Sequence, residues 1–574
     1  MTTRGWQVGR RDVRVMVAVV MAVALVILGT LFPLGMVLRT AFGAEALPHY
    51  AEFVTSRAGL TTLRNTVVLG LLVGLCGTAL GFLFAYIQAR LDVPFKRTLH
   101  VIALIPIISP PFAVATAIIV LYGQKGLITY GIFGLNYKIY GLDGLVLVLS
   151  LSLFPVAYLG LLGMMRALDP ALEEAAMNLG ASRWRIFRTV QLPLLAPGLA
   201  APFLLLFVEA IADLANPLVL GGDYTVLASS AYFAVTGEFD TTSAAVYSVI
   251  LLVPTVGLFV IQRYWLGSKV RATVTGKPSG SVHLVGGWAR WPVFALALMV
   301  GAVILSLYST VILGGITTNV FAADYGLTLR HFREVLLGHG RESITDTVLL
   351  AVIATPIAGL MGAIIAWLVV RHLRAAALWL DFVGMLGIAV PGTVLGIGYL
   401  LAYHTKVAIG PVTVLPAFAG VGAVFGGALA IVLSYVARSL PGGQRAAVAA
   451  LAQLHPSLEE ASTNLGAGHG TTLWRITLPL IRPALLTGLC YSFAHSMTSV
   501  SAVVFLVTSD THIMTSQILD AVNTSHYGVA FAYCTVLTVV VLLSFGLIRL
   551  TLGRNVTLSR VDVTRTDVPA TRGG

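Results

Sequence analysis

The chain has 574 residues, of which 57% are hydrophobic and only 10% are charged, and its mean hydropathy is +0.91. Soluble domains carry about 25% charged residues, so this composition excludes a soluble globular protein and indicates one embedded in a lipid bilayer. The net charge of +12 would suit a nucleic-acid partner only if the cations clustered on one surface. Their positions along the chain indicate a different role.

The chain contains twelve apolar runs that are each long enough to cross a hydrocarbon core of about 30 Å as a helix of about 20 residues. Six runs lie in each half, and an even number per half gives the two halves the same orientation. We therefore predict an all-α polytopic membrane protein built from two parallel six-helix repeats. The predicted spans cover 14–38, 65–88, 99–121, 143–165, 193–216, 243–265, 291–314, 345–370, 378–403, 417–438, 479–508 and 528–551.

Lysine and arginine are unevenly distributed between the loops. Of the 36, 27 fall at the two termini and in the even-numbered loops, and 9 fall in the other loops. Because cytoplasmic loops carry the excess of cations, this bias predicts that both termini are cytoplasmic and argues against a nucleic-acid partner. The predicted organisation is a first repeat over 1–266, a cytoplasmic linker over 267–290, a second repeat over 291–554 and a cytoplasmic tail over 555–574.

One polar stretch occurs twice, between the fourth and fifth predicted spans of each half. Asp169-Pro170 predicts the start of a helix, and Gly180 predicts its end because a residue without Cβ adopts the left-handed conformation at little cost. A single copy would also suit an ordinary amphipathic loop, but two copies with the same spacing predict a docking element. The copies carry Glu173, Glu174, Ala175 and Gly180 in loop 166–192, and Glu459, Glu460, Ala461 and Gly466 in loop 439–478, displaced by 286 positions (174 to 460).

These residues resemble the signature of the permease subunits of ATP-binding-cassette importers, in which Glu-Ala-Ala is followed by three residues, Gly, nine residues and Ile-x-Leu-Pro. The copies depart from it only by Val190 for Ile and Ser462 for the second Ala. The resemblance implies a type I, MetI-like permease of a bacterial inner membrane. Each hairpin would then be a coupling helix docked on one of two ATPase subunits, and a periplasmic binding protein would deliver the solute. His455 in place of Asp169, with Gly468 and Gly470, predicts a second coupling helix that is less stable alone.

The chain carries no motif of an ATPase. Gly276-Lys277 is followed by Pro278 and lacks the upstream glycine of a phosphate-binding loop, and no hydrolase or metalloprotease pattern occurs. We therefore predict no catalytic residue and no cofactor in this chain, with ATP and Mg bound by the partner ATPase. Cys76, Cys490 and Cys534 lie in predicted spans without paired spacing, which predicts neither a disulfide framework nor a metal site.

Ionisable residues inside spans are costly and therefore point to a cavity or to a helix contact. Glu209 and Asp213 are four residues apart and should share one helical face, with Asn216 just beyond. The positions 286 residues later, His495 and Ser499, predict a facing His/Ser surface in the second half. Two interpretations stay open, direct contact with a solute along a central path, and hydrogen bonding that only packs or gates the helices.

The runs 212–222 and 500–507 resemble the corresponding stretches of fused ferric-iron permeases, which implies ferric iron as the solute. Related permeases for phosphonates, sugar phosphates, thiamine and polyamines share much of the same pattern. A proton-coupled secondary transporter also has six plus six parallel spans, and Glu209 or Asp213 could carry its proton. A channel-like membrane protein would need neither nucleotide nor binding protein. Neither the secondary transporter nor the channel-like protein explains why the docking hairpin is duplicated.

Overall fold

The computed structural model describes residues 13–266, 286–288, 290–319, 324–338, 340–372, 377–409, 412–420 and 422–552. The predicted cytoplasmic tail and most of the predicted linker lie outside these residues. The described chain is helical apart from loops and two short antiparallel hairpins, as the all-α prediction requires.

The described part of the first half contains thirteen helices, three of which run on through π-helical turns at 27–31, 187–191 and 261–266. Side chains fix several helix starts. Ser56 accepts a hydrogen bond from the Gly59 N–H at 3.0 Å, and Asp240 accepts two from the N–H groups of the turn that follows it. The helices are α1 (Val13–Val26), α2 (Phe32–Ala41), α3 (Ala46–Thr55), α4 (Arg57–Arg90), α5 (Lys96–Ile108), α6 (Pro111–Tyr122), α7 (Leu142–Ala167), α8 (Ala171–Asn178), α9 (Arg183–Ile186), α10 (Leu192–Ala212), α11 (Ala215–Leu220), α12 (Leu227–Thr236) and α13 (Thr241–Val260).

The second half adds both β-hairpins to a similar set of helices. Its elements are α14 (Arg290–Ile316), β1 (Thr317–Asn319), β2 (Asp324–Leu327), α15 (Arg330–Leu337), α16 (Gly340–Trp367), α17 (Ala377–Gly384), α18 (Leu386–Ala389), α19 (Gly392–Tyr403), β3 (Val407–Ile409), β4 (Val412–Leu415), α20 (Ala428–Gln453), α21 (Ser457–Asn464), α22 (His469–Thr472), α23 (Leu478–Leu480), α24 (Arg482–Thr498), α25 (Met514–Asn523) and α26 (Tyr527–Leu552). π-Helical turns follow α16 at 368–372 and α22 at 473–477, and a 3₁₀ turn at 424–427 precedes α20.

The two halves repeat one another helix by helix. Residues 96 and 111, which begin α5 and α6, correspond to 377 and 392 at an offset of 281, whereas 142, 171 and 241 correspond to 428, 457 and 527 at an offset of 286. The difference of five residues falls in a single loop, 123–141 in the first half and 404–427 in the second. The β3–β4 hairpin lies there, so the insertion leaves the helices unchanged.

Within the described residues, nine helices are long and apolar enough to cross a membrane, and the number is twelve when each of three bent helix pairs is one span. The bends are 109° between α5 and α6, 102° between 377–389 and α19, and 78° in the fifth span of the second half. Pro110 and Pro391 cause the first two, since proline forces the preceding residue out of the helical region. Ser109 and Val390 are accordingly extended.

Three predicted spans have different ends in the structure. The tenth span was predicted at 417–438, but α20 covers Ala428–Gln453 and contains Pro441. Proline is tolerated in buried membrane helices, and here the glycines beside it permit a close backbone contact. A Cβ on Gly362 of α16 would lie only 2.7 Å from the backbone N of Gln444. The fifth and eleventh spans, predicted at 193–216 and 479–508, end at Ala212 and Thr498.

The first helix of each half packs against the opposite half. α2 contacts α19, and α14 contacts α6. Tyr399 and Tyr403 of α19 donate hydrogen bonds to the carbonyl oxygens of Gly29 and Leu28 at 2.8 and 2.5 Å, which satisfies the carbonyls that the π-helical turn leaves free. These crossed contacts fix the orientation of each half relative to the other.

Candidate functional site

The first hairpin has the predicted helix-turn-helix form. Asp169 accepts a hydrogen bond from the Ala171 N–H at 3.0 Å and so caps α8. Gly180 has φ of +80°, which favours glycine, and nothing lies within 4 Å of where its Cβ would be. Ser182 then caps α9 by accepting from the Arg185 N–H at 3.3 Å.

The second hairpin has the same backbone but different caps. His455 Nδ1 accepts from the Ser457 N–H at 3.3 Å, so the histidine replaces the capping aspartate. Gly466 has φ of +86° and matches Gly180. Gly468 precedes α22 without a side chain to cap it, and a hydrogen bond of 2.8 Å between Ser462 and Thr472 ties α21 to α22 instead.

The first glutamate of each copy faces the membrane domain. Glu173 forms an ion pair of 2.8 Å with Arg90, the last residue of α4, and the two side chains are only 13% and 3% exposed. Glu459 lies 3.4 Å from Arg371 and accepts a hydrogen bond from Thr477 at 3.1 Å. Arg90 and Arg371 are counterparts at the 281 offset. In the sequence they contributed only to the count of cations, so these anchoring partners were missed.

The opposite face of each hairpin carries apolar side chains directed at solvent. Leu179 is 88% exposed and its counterpart Leu465 is 89% exposed, and each sits just before the turn glycine. The predicted coupling residues Ala175, Glu460 and Ala461 are exposed as well, whereas Glu174 is half-buried. The exposed leucines were also missed, because apolar residues beside membrane spans carry no signal of their own.

The predicted translocation residues do not form one continuous surface in the structure. Glu209 and Asp213 do not share a helical face, because α10 ends at Ala212 and Asp213 is extended. Asp213 instead accepts hydrogen bonds of 2.9 Å from both the backbone N–H and the side-chain amide of Asn216, which fixes the start of α11. For Asp213 and Asn216 this geometry agrees with the packing interpretation. Ser499, the counterpart of Asp213, lies at the equivalent break, where its backbone oxygen accepts from Thr515.

Glu209 lies in a charged cluster between the halves. Its side chain is exposed, and the charges that act on it come from Arg438 and Arg445 of α20. The His495 ring stacks on the Tyr491 ring, with 5.7 Å between their centroids. The charge of Arg438 interacts with both side chains, and the charge of Glu209 interacts with Tyr491. The predicted tenth span ended at Arg438, and Arg445 fell in the predicted loop 439–478, so the sequence analysis missed this cluster.

Arg438 has unused hydrogen-bonding capacity in this cluster. Its Nε and Nη1 atoms are buried and have no hydrogen-bond partner among the described residues. No group of three or more His, Cys, Asp or Glu side chains in the described ranges is arranged to hold a metal ion. The cluster therefore combines the Glu209 carboxylate with buried guanidinium nitrogens that have no partner in the described chain.

Comparison with known proteins gives the family. Residues 77–272 and 358–557 match the family described as "Binding-protein-dependent transport system inner membrane component". The chain belongs to this family. The two matches cover both halves, including both hairpins, so the protein is a fused, duplicated permease subunit of a binding-protein-dependent transporter in the inner membrane.

The relatives of this permease include proteins named for iron and for molybdenum. It is 35% identical to the ferric transport system permease protein FbpB of Actinobacillus pleuropneumoniae, over 84% of this chain and 69% of that protein. It is 34% identical to a putative ferric transport system permease protein, FbpB 1, of Haemophilus influenzae, over 79% and 71% of the two chains. It is also 30% identical to the molybdenum transport system permease protein ModB of Escherichia coli, over 30% of this chain and 70% of that protein.

Proposed function

We propose that this permease imports ferric iron, which a periplasmic binding protein delivers and ATP hydrolysis in a partner drives into the cytoplasm. The observation that carries the proposal is the identity of 35% and 34% to two ferric transport permeases over 84% and 79% of this chain. ATP and Mg bind to the ATPase, and this chain supplies no catalytic residue.

We further propose that the two hairpins dock on two copies of the ATPase, with both termini of the chain in the cytoplasm. Two equivalent hairpins on one chain call for two equivalent partners. Leu179 and Leu465 provide an apolar contact on each outward face. Glu173 and Glu459 act from the inner face, where their ion pairs join the hairpins to α4 and to the π-helical turn after α16. Movement of an ATPase then displaces membrane helices rather than a loose loop.

In this proposal the cluster around Glu209 lies on the solute path, and displacement of the membrane helices changes its geometry. Glu209 belongs to the first half, and Arg438, Arg445, Tyr491 and His495 belong to the second. Relative movement of the halves changes the separation of these charges. Glu209 therefore either contacts Fe(III) directly, as hard carboxylate oxygens do, or pairs with an arginine when the path is closed.

Uptake by reconstituted proteoliposomes tests the proposal. The permease is reconstituted with its ATPase and its binding protein, and Fe(III), molybdate, a phosphonate and a sugar phosphate are offered in parallel. We expect ATP-dependent uptake of Fe(III) alone. ATP-dependent uptake of another solute would keep the importer and reject iron. Uptake that follows a proton gradient without ATP would reject the importer and assign the proton to Glu209.

A further inference from the structure

The membrane-facing side of the second coupling hairpin is covered by protein. α1 of the first half lies against α16 and α22 of the second half. Ala18, Ala22 and Val26 of α1 are buried in one apolar cluster with Ile364 of α16 and Leu473, the residue after α22. The small side chains of α1 allow this close approach.

The first coupling hairpin has a different neighbour. α14, the counterpart of α1 in the other half, contacts α4 and α5. Between α14, α4, α7 and the first hairpin lies a cavity of about 1280 Å³. Met177 of α8 and Phe187 after α9 line one end of it, so the hairpin itself forms part of the cavity wall.

The chemistry of the cavity changes from one end to the other. Along α4, α7 and α14 its lining is mainly apolar, and the exposure of Leu296 and Met299, 46% and 60%, indicates that it opens toward the bilayer. At the hairpin end, Arg183 and Trp184 line it and are both exposed. No carboxylate of the described chain lies within ion-pair distance of Arg183, and Glu173, also in the lining, is paired with Arg90.

We propose that a phospholipid with an anionic headgroup occupies this cavity, with its acyl chains between α4, α7 and α14 and its headgroup at Arg183. Lipid would then support the first coupling hairpin as α1 supports the second. Acyl chains gain little by moving from bilayer to cavity, because both are apolar, so the headgroup determines which lipid is retained. Anionic lipids of the cytoplasmic leaflet are attracted to basic side chains near the membrane surface, and Trp184 suits the same interfacial depth.

Retention of lipid by the purified full-length permease tests the proposal. The protein is extracted into mild detergent, and its bound phospholipids are measured by native mass spectrometry. Met299→Trp should reduce them because the larger side chain projects into the space that the acyl chains would occupy. Leu298→Trp is the matched control, because Leu298 is an adjacent exposed residue of the same helix that does not line the cavity. Equal lipid content in the two variants would overturn the site.

The headgroup is tested separately in nanodiscs of phosphatidylglycerol mixed with phosphatidylcholine. The unmodified chain should retain phosphatidylglycerol in preference, and Arg183→Gln should remove the preference while leaving the number of bound lipids unchanged. An unchanged preference, or none at the start, would overturn the assignment of an anionic headgroup. The headgroup placement rests on the proposed cytoplasmic position of the hairpins. Both measurements use the permease without ATP, ATPase or iron, so a failure of the proposed transport function would not affect their outcome.

Discussion

The two coupling hairpins have the same backbone and the same outward face, but they are held to the membrane domain differently. Both turns use a glycine at positive φ, and both present a leucine that is almost fully exposed. On the inner face, the buried Arg90 forms an ion pair with Glu173 and donates one further hydrogen bond, of 3.5 Å, to the carbonyl oxygen of Met165. Arg371 divides its hydrogen bonds between the carbonyl oxygens of Leu451 and Leu454 at 3.1 and 2.8 Å.

The two faces of the hairpins therefore differ in how far they vary between the copies: the outward face is alike in both, and the inner face is not. On the proposed function the outward face fits the same partner twice, and its exposed leucine is present in both copies. The inner face needs only to remain attached, and several combinations of ion pair, hydrogen bond and cap achieve this. The second copy has lost the Asp and Ser caps of the first but has gained contacts from His455, Ser462 and Thr477. The expectation that it is less stable alone overlooked these replacements.

The largest predicted effect concerns the two anchoring glutamates. Glu173→Gln leaves the buried Arg90 without its counter-charge, and breaking a buried ion pair in this way costs about 3 kcal/mol. Glu459→Gln should cost about 1 kcal/mol, because that pair is longer, is more exposed and leaves Arg371 its two carbonyl partners. Amide hydrogen exchange of α8 and α21 measures the difference.

We expect exchange in α8 to accelerate by about a hundredfold in Glu173→Gln, since each 1.4 kcal/mol is a factor of ten. Exchange in α21 should change by less than about tenfold in Glu459→Gln. Equal acceleration in the two helices would show that the two hairpins are anchored alike and would contradict the difference inferred from the structure. Helix α12, far along the chain from both, serves as the internal control within each variant.

Much of this architecture follows from hydropathy and from the internal repeat. The apolar runs placed every span close to an observed helix or bent helix pair except the tenth, and the repeated Glu-Ala pattern located both hairpins. The tenth span was misplaced because Arg438 and the Pro441-Gly442-Gly443 sequence suggest the end of a helix. In the folded protein Gly362 of α16 packs closely against Gln444 of this helix, and the helix runs on to Gln453.

The residues that the sequence did not reveal owe their roles to partners distant in the chain. Arg90 meets a residue 83 positions later (90 to 173), and Glu209 is acted on by arginines more than 200 positions away (209 to 438). No local pattern encodes such pairs. The breaks after Ala212 and Thr498 were also missed, because apolar residues still follow them in both halves although the backbone turns.

An intermediate effect is expected on the outward faces, where the two copies should behave alike. Leu179→Asp and Leu465→Asp each place a charge in an apolar contact and should each weaken ATPase binding by about tenfold. Because both side chains are exposed, the stability of the permease should not change. Binding of the ATPase to detergent-solubilised permease measures the affinity.

The control for these two variants is Phe239→Asp. Phe239 is also exposed, at 84%, but it lies in the loop between α12 and α13, away from both hairpins. That variant should bind the ATPase normally. If only one of the two leucine variants weakens binding, the outward faces are not equivalent, and one ATPase is held mainly by other residues.

The smallest predicted effect tests whether the caps are interchangeable between the copies. Ser182→Ala removes the hydrogen bond to the Arg185 N–H and should destabilise α9 by about 1 kcal/mol. Gly468→Ser supplies the missing cap in the second copy, where the residue already has the extended conformation that a capping serine needs, and should stabilise α22 by a few tenths of a kcal/mol. Amide exchange in α9 and α22 reports both changes. An unchanged α22 in Gly468→Ser would mean that the hydrogen bond between Ser462 and Thr472 already fixes the start of that helix, so the second copy has replaced the cap rather than lost it.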